Sequence, residues 1–250
     1  MDDKYGQFCT VARGAEALCQ QWTPLVVREL LCGSTRFNDI HRGVPRMSSS
    51  LLVQRLRHLE EIGVVRRSVR GKVREYSLTE AGEELRPIVM ALGHWGARWI
   101  GSRLRDDQLD AGFLMWDIRR FVRLTEFPPH PVVIHFAFRN ARPGEGKWWL
   151  VVEQGTSDLC RDDPGREVTL IVDCTVQALT EVWTGDRTPS DVIGTRELRV
   201  EGAERDSQRL WRWLGTSAFA ATRQEVIAAR NRALPTPATR APARLSEALR

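Results

Sequence analysis

No run of about eighteen apolar residues occurs in this 250-residue chain, so no transmembrane helix is expected. The opening MDDKYGQF lacks the apolar centre of a secretory leader, and the expectation is a cytoplasmic protein without a membrane partner. The five cysteines, Cys9, Cys19, Cys32, Cys160 and Cys174, are odd in number and form no CxxC pair, which argues for reduced thiols rather than a disulfide framework or a zinc site. The HExxH and GxSxG patterns, a Walker loop and a Rossmann glycine pattern are all missing. His130 and His135 fall in or beside an apolar segment and read as core histidines. The carboxylate pairs Asp106-Asp107 and Asp162-Asp163 fall in loops, where such residues serve turns and caps. No catalytic set, metal site or cofactor is therefore expected, and the chain does not read as an enzyme.

What the chain does have is an uneven distribution of charge. Residues 1–104 hold 16 Lys and Arg against 11 Asp and Glu, residues 105–222 hold 15 against 19, and residues 223–250 hold 6 against 2. A basic first part joined to a mildly acidic second part suggests a nucleic-acid-binding module with a different module attached. An apolar fraction of 42% and a charged fraction of 28% are those of a globular protein, and the length allows one large or two ordinary domains.

The first part reads as four helices, a hairpin and a longer helix. Val11–Cys19 forms a short helix, and Thr23-Pro24 opens a second with Thr as N-cap and Pro at the first helical position. Thr35 caps RFNDIHRGV, and Ser48 or Ser49 caps the next helix, which ends at Gly63. In VVRRSVRGKVREYSLT, β-branched residues flank Arg70-Gly71-Lys72, a hairpin with glycine at its tip. Thr79 then caps a helix running through Leu85, Leu92, Trp95 and Trp99.

The helix beginning after Ser48 has two distinct faces. With Leu52 at the origin and about 100° per residue, Leu56, Leu59 and Gly63 lie within about 40°, while Ser50, Val53, Gln54 and Arg57 occupy the opposite side. The leucine stripe goes inward. Arg can fork onto guanine and Gln can pair with adenine in a major groove. The hydroxyls of Ser48, Ser49 and Ser50, together with the free amides of a helix N-terminus, suit phosphates. Arg55, near 300°, is expected to pair with an acid on a neighbouring helix. Arg66, Arg67, Arg70, Lys72 and Arg74 on the hairpin, with Arg36 before the third helix, fit contacts to the sugar-phosphate backbone of double-stranded DNA.

Residues 9–99 resemble the HxlR-type winged-helix transcriptional regulators. The matching pieces are Cys9 with Val11-Ala12, Trp22-Thr23-Pro24-Leu25 with Arg28-Glu29-Leu30, and Arg36-Phe37-Asn38-Asp39-Ile40. They continue in Leu51-Leu52, Arg55-Leu56-Arg57, Leu59-Glu60, Gly63-Val64-Val65, Tyr76, Leu78-Thr79 and Ala81-Gly82. The resemblance implies a homodimer on a palindromic operator, with terminal helices at the two-fold contact, a role for which the Leu85–Trp99 helix is suited. Some members sense oxidants or electrophiles through a cysteine near the N-terminus, a position that Cys9 matches.

The second part mixes apolar strands (VVIHFAF, KWWLVVEQG, SDLC, EVTLIVDC, ELRVEG) with helices (FLMWDIRRFVRL, VQALTEVWTG, ERDSQRLWRWLG). VVIHFAF is apolar at nearly every position, as a central strand covered on both faces would be. This order, with a helix ending in Trp183-Thr184-Gly185-Asp186, resembles a sterol-carrier-protein-like domain and implies a lipophilic cavity between sheet and helices. Trp116, Trp148, Trp149, Trp183 and Trp211, with Trp213, are the candidates to line it, and a hydrophobic small-molecule effector is the expected ligand. The fold expectation is α+β: a winged helix with a dimerisation helix over 1–103, a sterol-carrier-like domain over 104–222, and a basic Pro/Ala-rich tail over 223–250, disordered after Ala233. Two alternatives stand beside the ligand-modulated regulator: a thiol-based redox regulator using Cys9, and a lipophilic-ligand carrier whose winged helix is an interaction module.

Overall fold

A computed structural model describes residues 5–71, 73–100 and 104–233. The first cluster of buried side chains forms where Val26, Val27 and Leu30 meet Ile40, Met47, Leu52, Leu56 and Leu59. The helices that supply them are α2 (Thr23–Leu31), α3 (Phe37–Gly43) and α4 (Ser49–Glu61), preceded by α1 (Thr10–Leu18). The antiparallel hairpin of β1 (Val65–Arg70) and β2 (Val73–Leu78) closes the cluster with Val65 and Tyr76.

Helix starts depart from the sequence expectation in two places. Thr23 is the first residue of α2 rather than its cap. Trp22, in the left-handed region at φ 76°, takes the cap position, and a backbone turn from Thr23 N–H to the Gln20 carbonyl (3.0 Å) closes the entry. Thr35 caps nothing. Its carbonyl accepts from Tyr76 N–H (2.8 Å) and Arg36 bridges Glu75, so the segment is drawn onto the hairpin as a short third strand and α3 starts only at Phe37. The long helix after Thr79 is broken into α5 (Glu80–Glu83) and α6 (Arg86–Trp99). Pro87, which has no N–H to extend α5, sits instead in the first turn of α6.

The second cluster is built on a mixed five-stranded sheet in the order β5-β4-β3-β6-β7. Its strands are β3 (Val132–Phe138), β4 (Lys147–Glu153), β5 (Thr156–Cys160), β6 (Leu170–Cys174) and β7 (Leu198–Gly202). Among the described strands only β3 and β6 run parallel. Alternation along the strands sends Val132, Ile134, Phe136, Trp148, Leu150 and Val172 to one face. There they pack against α7 (Ala111–Phe121), α8 (Val176–Thr184) and α10 (Glu204–Leu214). Among the described residues the other face carries no helix layer. Val133, Trp149 and Val151 bury each other there with help from Cys160 and Val168, so β3 is covered on both faces as expected, by helices on one and by these side chains on the other. His135 stacks on Trp149 at 4.6 Å, and burial lowers its pKa, with Lys147 adding to the effect.

Short α9 (Pro189–Gly194) leads into β7, and α11 (Ala220–Ala233) ends the described chain. This last helix crosses the expected boundary at residue 222, so residues 223–233 are helical, and the start of α11 packs on α6. His94 Nδ1 lies 2.7 Å from Thr222 Oγ1 and its ring stands edge-on to Phe219. Gly93 makes that contact possible, since a Cβ there would fall 2.2 Å from the Phe219 ring. Residues 234–250 lie outside the described residues.

Candidate nucleic-acid interface

The interface begins with the burial of one stripe of α4. Leu52, Leu56 and Leu59 are at most 1% exposed, which leaves Gln54 and Arg57 on the open side. Ser48 is the N-cap, its Oγ accepting from Leu51 N–H at 3.3 Å, and Ser49 and Ser50 stand exposed in the first turn. Free amides and hydroxyls therefore meet solvent at the end of α4 that would enter a groove. Arg55 is held differently from expectation. Its Nε donates to the Gln21 carbonyl at 3.1 Å, because the loop before α2 supplies a backbone acceptor at the place where an acid was expected.

The hairpin register decides which arginines join α4. Arg67 pairs with Tyr76 and Val69 with Arg74, so Arg67 and Arg74 share the face of the buried Tyr76 and look toward α4. A groove of about 300 Å³ results, lined by Phe37, Val53, Arg57, Glu60, Arg67 and Arg74. Arg67 Nε lies 3.4 Å from a Glu60 oxygen, which fixes the hairpin against α4 and offsets one charge. Arg36, largely exposed, has its Nε 3.9 Å from Glu75. Arg70 pairs with Val73 in register at the end of β1, and Lys72 lies outside the described residues. Arg57 and Arg74 thus line one groove, Arg57 in the second half of α4 and Arg74 on the wing.

The candidate ligand residues divide among separate places. Trp116 and Trp148 line one cavity of about 530 Å³ between the two clusters. Trp183 is buried elsewhere with Nε1 donating to Asp117 at 2.9 Å, and Trp149 lies across the sheet. Trp211 lines a shallow depression beside β7, and Trp213 is in the core with Nε1 donating to the Glu126 carbonyl at 3.0 Å. The five tryptophans do not converge because the strand alternation that buries Trp148 on the helix side must send Trp149 to the opposite face.

Cys9 is exposed at the N-cap position of α1. Burial raises the pKa of the Cys32 thiol, and it pushes that of Cys174 up to about 12. Those two are poor thiolates near neutral pH.

A group that sequence reasoning missed joins the two clusters. Arg120 donates to Glu29 Oε2 at 2.6 Å and to Asp117 Oδ1 at 2.7 Å, and Arg28 also donates to Asp117. Glu29 is completely buried, under Gly43, where a Cβ would fall 1.8 Å from its carboxyl group. The signal was present in FLMWDIRRFVRL, where Asp117 interrupts the buried stripe of Leu114, Met115 and Ile118. A charge on such a stripe asks for a partner.

The HxlR-like helix-turn-helix profile matches residues 17–103. The uncharacterized HTH-type transcriptional regulator YvaP of Bacillus subtilis (strain 168) is 39% identical over 97 residues, covering 38% of this chain and 90% of its own. An uncharacterized HTH-type transcriptional regulator of Methanothermobacter thermautotrophicus is 37% identical over 98 residues, 38% of this chain and 73% of its own. Among solved structures, the redox regulator HypR in its reduced form is 33% identical, covers 35% of this chain and 90% of its own, and superposes with a TM-score of 0.34. No helix of the described residues is long and apolar enough to cross a membrane. With a winged helix-turn-helix on the page and relatives matched over most of their length, the chain belongs to the HxlR-like helix-turn-helix family of DNA-binding transcriptional regulators.

Proposed function

We propose that the protein is a cytoplasmic, homodimeric regulator that reads a palindromic operator with α4 and grips the flanking backbone with its wing. The observation that carries this reading is the shared groove of Arg57 on α4 and Arg67 and Arg74 on the wing, on the same helix whose serine-led N-terminus is exposed. Arg57, with Gln54, is the base-reading side chain, and Ser48, Ser49, Ser50, Arg36, Arg67, Arg70, Lys72 and Arg74 hold phosphates. The dimer reading is supported by α6, on which Ile88, Leu92, Trp95 and Trp99 are each more than half exposed. A two-fold partner would cover them.

The second unit we read as sterol-carrier-protein-like, supported by its mixed sheet with helices on one face and by the helix ending at Thr184 before Gly185-Asp186. The space between its sheet and helices is filled by Met115, Ile118, Phe136 and Leu150, each fully buried. An effector is therefore sought at the boundary between the two units.

Selection of binding sequences from a random duplex library by the full chain tests the reading. An enriched inverted repeat is the expected outcome. On that duplex, Arg57→Ala costs about 1–3 kcal/mol and relaxes the preference at one position, whereas Arg74→Ala weakens all sequences alike and lowers the salt slope by about one. Recovery of no preferred sequence would overturn the operator reading. Sedimentation equilibrium of the free chain tests the dimer separately.

A further inference from the structure

The cavity between the two units is walled on one side by α3, the first helix of the helix-turn-helix pair, and on the other by α7, β4 and β5. Asp39 and Arg42 come from α3, and Pro45 from the link between α3 and α4. Its volume of about 530 Å³ is ample for a small organic molecule.

Its walls are flat and rich in donors. Arg42 and Arg119 lie over the Trp116 ring at 5.3 and 5.2 Å, and Arg161 lies over the Trp148 ring at 5.1 Å. Each guanidinium has five N–H groups. Arg42 spends one on Asp39, Arg161 one on the Gly144 carbonyl, and Arg119 one on the Ser157 carbonyl. Trp116 is more than nine-tenths buried, and its Nε1–H has no acceptor among the described residues. Donors are therefore in surplus, and the complementary ligand brings acceptors on a planar ring that can stack with indole and guanidinium.

The acids of the wall limit how much negative charge such a ligand carries. Asp39 is taken by Arg42, Asp110 accepts from Phe113 N–H as the cap of α7, and Asp158, 78% exposed, lies 3.9 Å from Arg119 Nη2. Glu145 completes the set. Four carboxylates around three guanidiniums oppose a dianion or a phosphate, while one carboxylate placed between Arg42 and Arg161 is accommodated.

We infer that this cavity between the DNA-reading unit and the sheet unit binds a small planar aromatic monocarboxylate and is the effector site of the regulator. The inference rests on the regulator reading above for its second half only. A ligand touching both Arg42 and Arg161 fixes the spacing between α3 and the end of β5. Because α3 leads directly into α4, a molecule that prefers one spacing shifts the population in which α4 fits the groove.

The test is isothermal calorimetry on the full chain without DNA, using 2-naphthoate as probe. The expected result is saturable one-to-one binding with a Kd below about 1 mM. Cyclohexanecarboxylate, which keeps the charge but lacks the flat ring, and 2,6-naphthalenedicarboxylate, which doubles the charge, bind at least about tenfold more weakly. Arg161→Gln, an exposed position remote from α4, lowers 2-naphthoate affinity at least about tenfold while operator affinity without ligand is unchanged. Trp148→Phe provides a second variant that keeps the core filled and weakens binding in the same direction. Absence of saturable heat, or equal binding by the Arg161→Gln protein, overturns the site. If 2-naphthoate binds as expected and operator affinity of the wild type does not move on saturation, the effector assignment is overturned while the binding site stands. Loss of selective DNA binding by the free protein would overturn the regulator reading and leave the calorimetric result intact.

Discussion

Asp117 is the residue whose removal should be felt most widely. It accepts from Arg28, from Arg120 at 2.7 Å and from Trp183 Nε1 at 2.9 Å, and all three donors lose an acceptor together if it goes. Asp117→Ala is expected to destabilise the protein by about 3–5 kcal/mol, since it leaves two arginines sharing the one buried carboxylate of Glu29. Urea denaturation checks this, and a loss below about 1 kcal/mol would show that water satisfies the group. At the other end of the range, Ser48→Ala removes a single cap bond and should cost about 1 kcal/mol. It should also weaken operator binding if the Ser48 hydroxyl serves a phosphate as well as the cap.

Among the elements, α6 carries two roles on two faces. Gly93 and His94 face α11, where they meet Phe219 and Thr222. Ile88, Leu92, Trp95 and Trp99 face away from it and remain open. The two faces are expected to respond separately to mutation. Gly93→Leu should loosen α11, read as faster amide exchange over 220–233, and leave the oligomeric state alone. Trp95→Ser with Trp99→Ser should shift sedimentation equilibrium from dimer to monomer and cost operator affinity, with α11 protection unchanged. A double variant that stays dimeric would move the two-fold contact to another surface. The wing was readable as a hairpin because glycine at its tip and β-branched residues on its flanks are local signals. Its third partner, the Thr35–Arg36 segment, was not, because that pairing joins residues some forty positions apart.

For the molecule as a whole, the decisive feature is the charged joint between its two clusters. Arg28 and Glu29 of α2 meet Asp117 and Arg120 of α7, two cations against two anions. Such a joint adds specificity of docking more than net stability. It should also couple the two clusters in unfolding. Scanning calorimetry of the wild type is expected to show one transition, and the double variant Glu29→Gln with Asp117→Asn to resolve two. A single transition in the double variant would assign the coupling to α6 and α11 instead. Salt should separate this joint from the DNA surface. Operator affinity should fall steeply between about 50 and 200 mM salt, while the melting profile barely moves, because phosphate contacts release counterions and buried pairs are poorly screened.

The sequence by itself determined the elements whose causes are local. The leucine stripe of α4, the serine cap, the glycine-tipped hairpin and the alternating strands are written in spacings of two to four residues, and the family resemblance of the first hundred residues follows from those same motifs. Helix starts were less legible. At Trp22 and Arg36 backbone bonds from neighbouring segments took over the capping that Thr23 and Thr35 were expected to supply. The dispersal of the tryptophans, the helix that runs past residue 222, the burial of Glu29 beneath Gly43 and the cavity between α3 and α7 were decided only by the tertiary structure. Each depends on segments well separated in the chain, from fourteen positions for Glu29 and Gly43 to more than a hundred for α6 and α11, or on opposite faces of one sheet, meeting in space. Composition and periodicity register which face of an element is apolar, but they do not say which other element that face will meet.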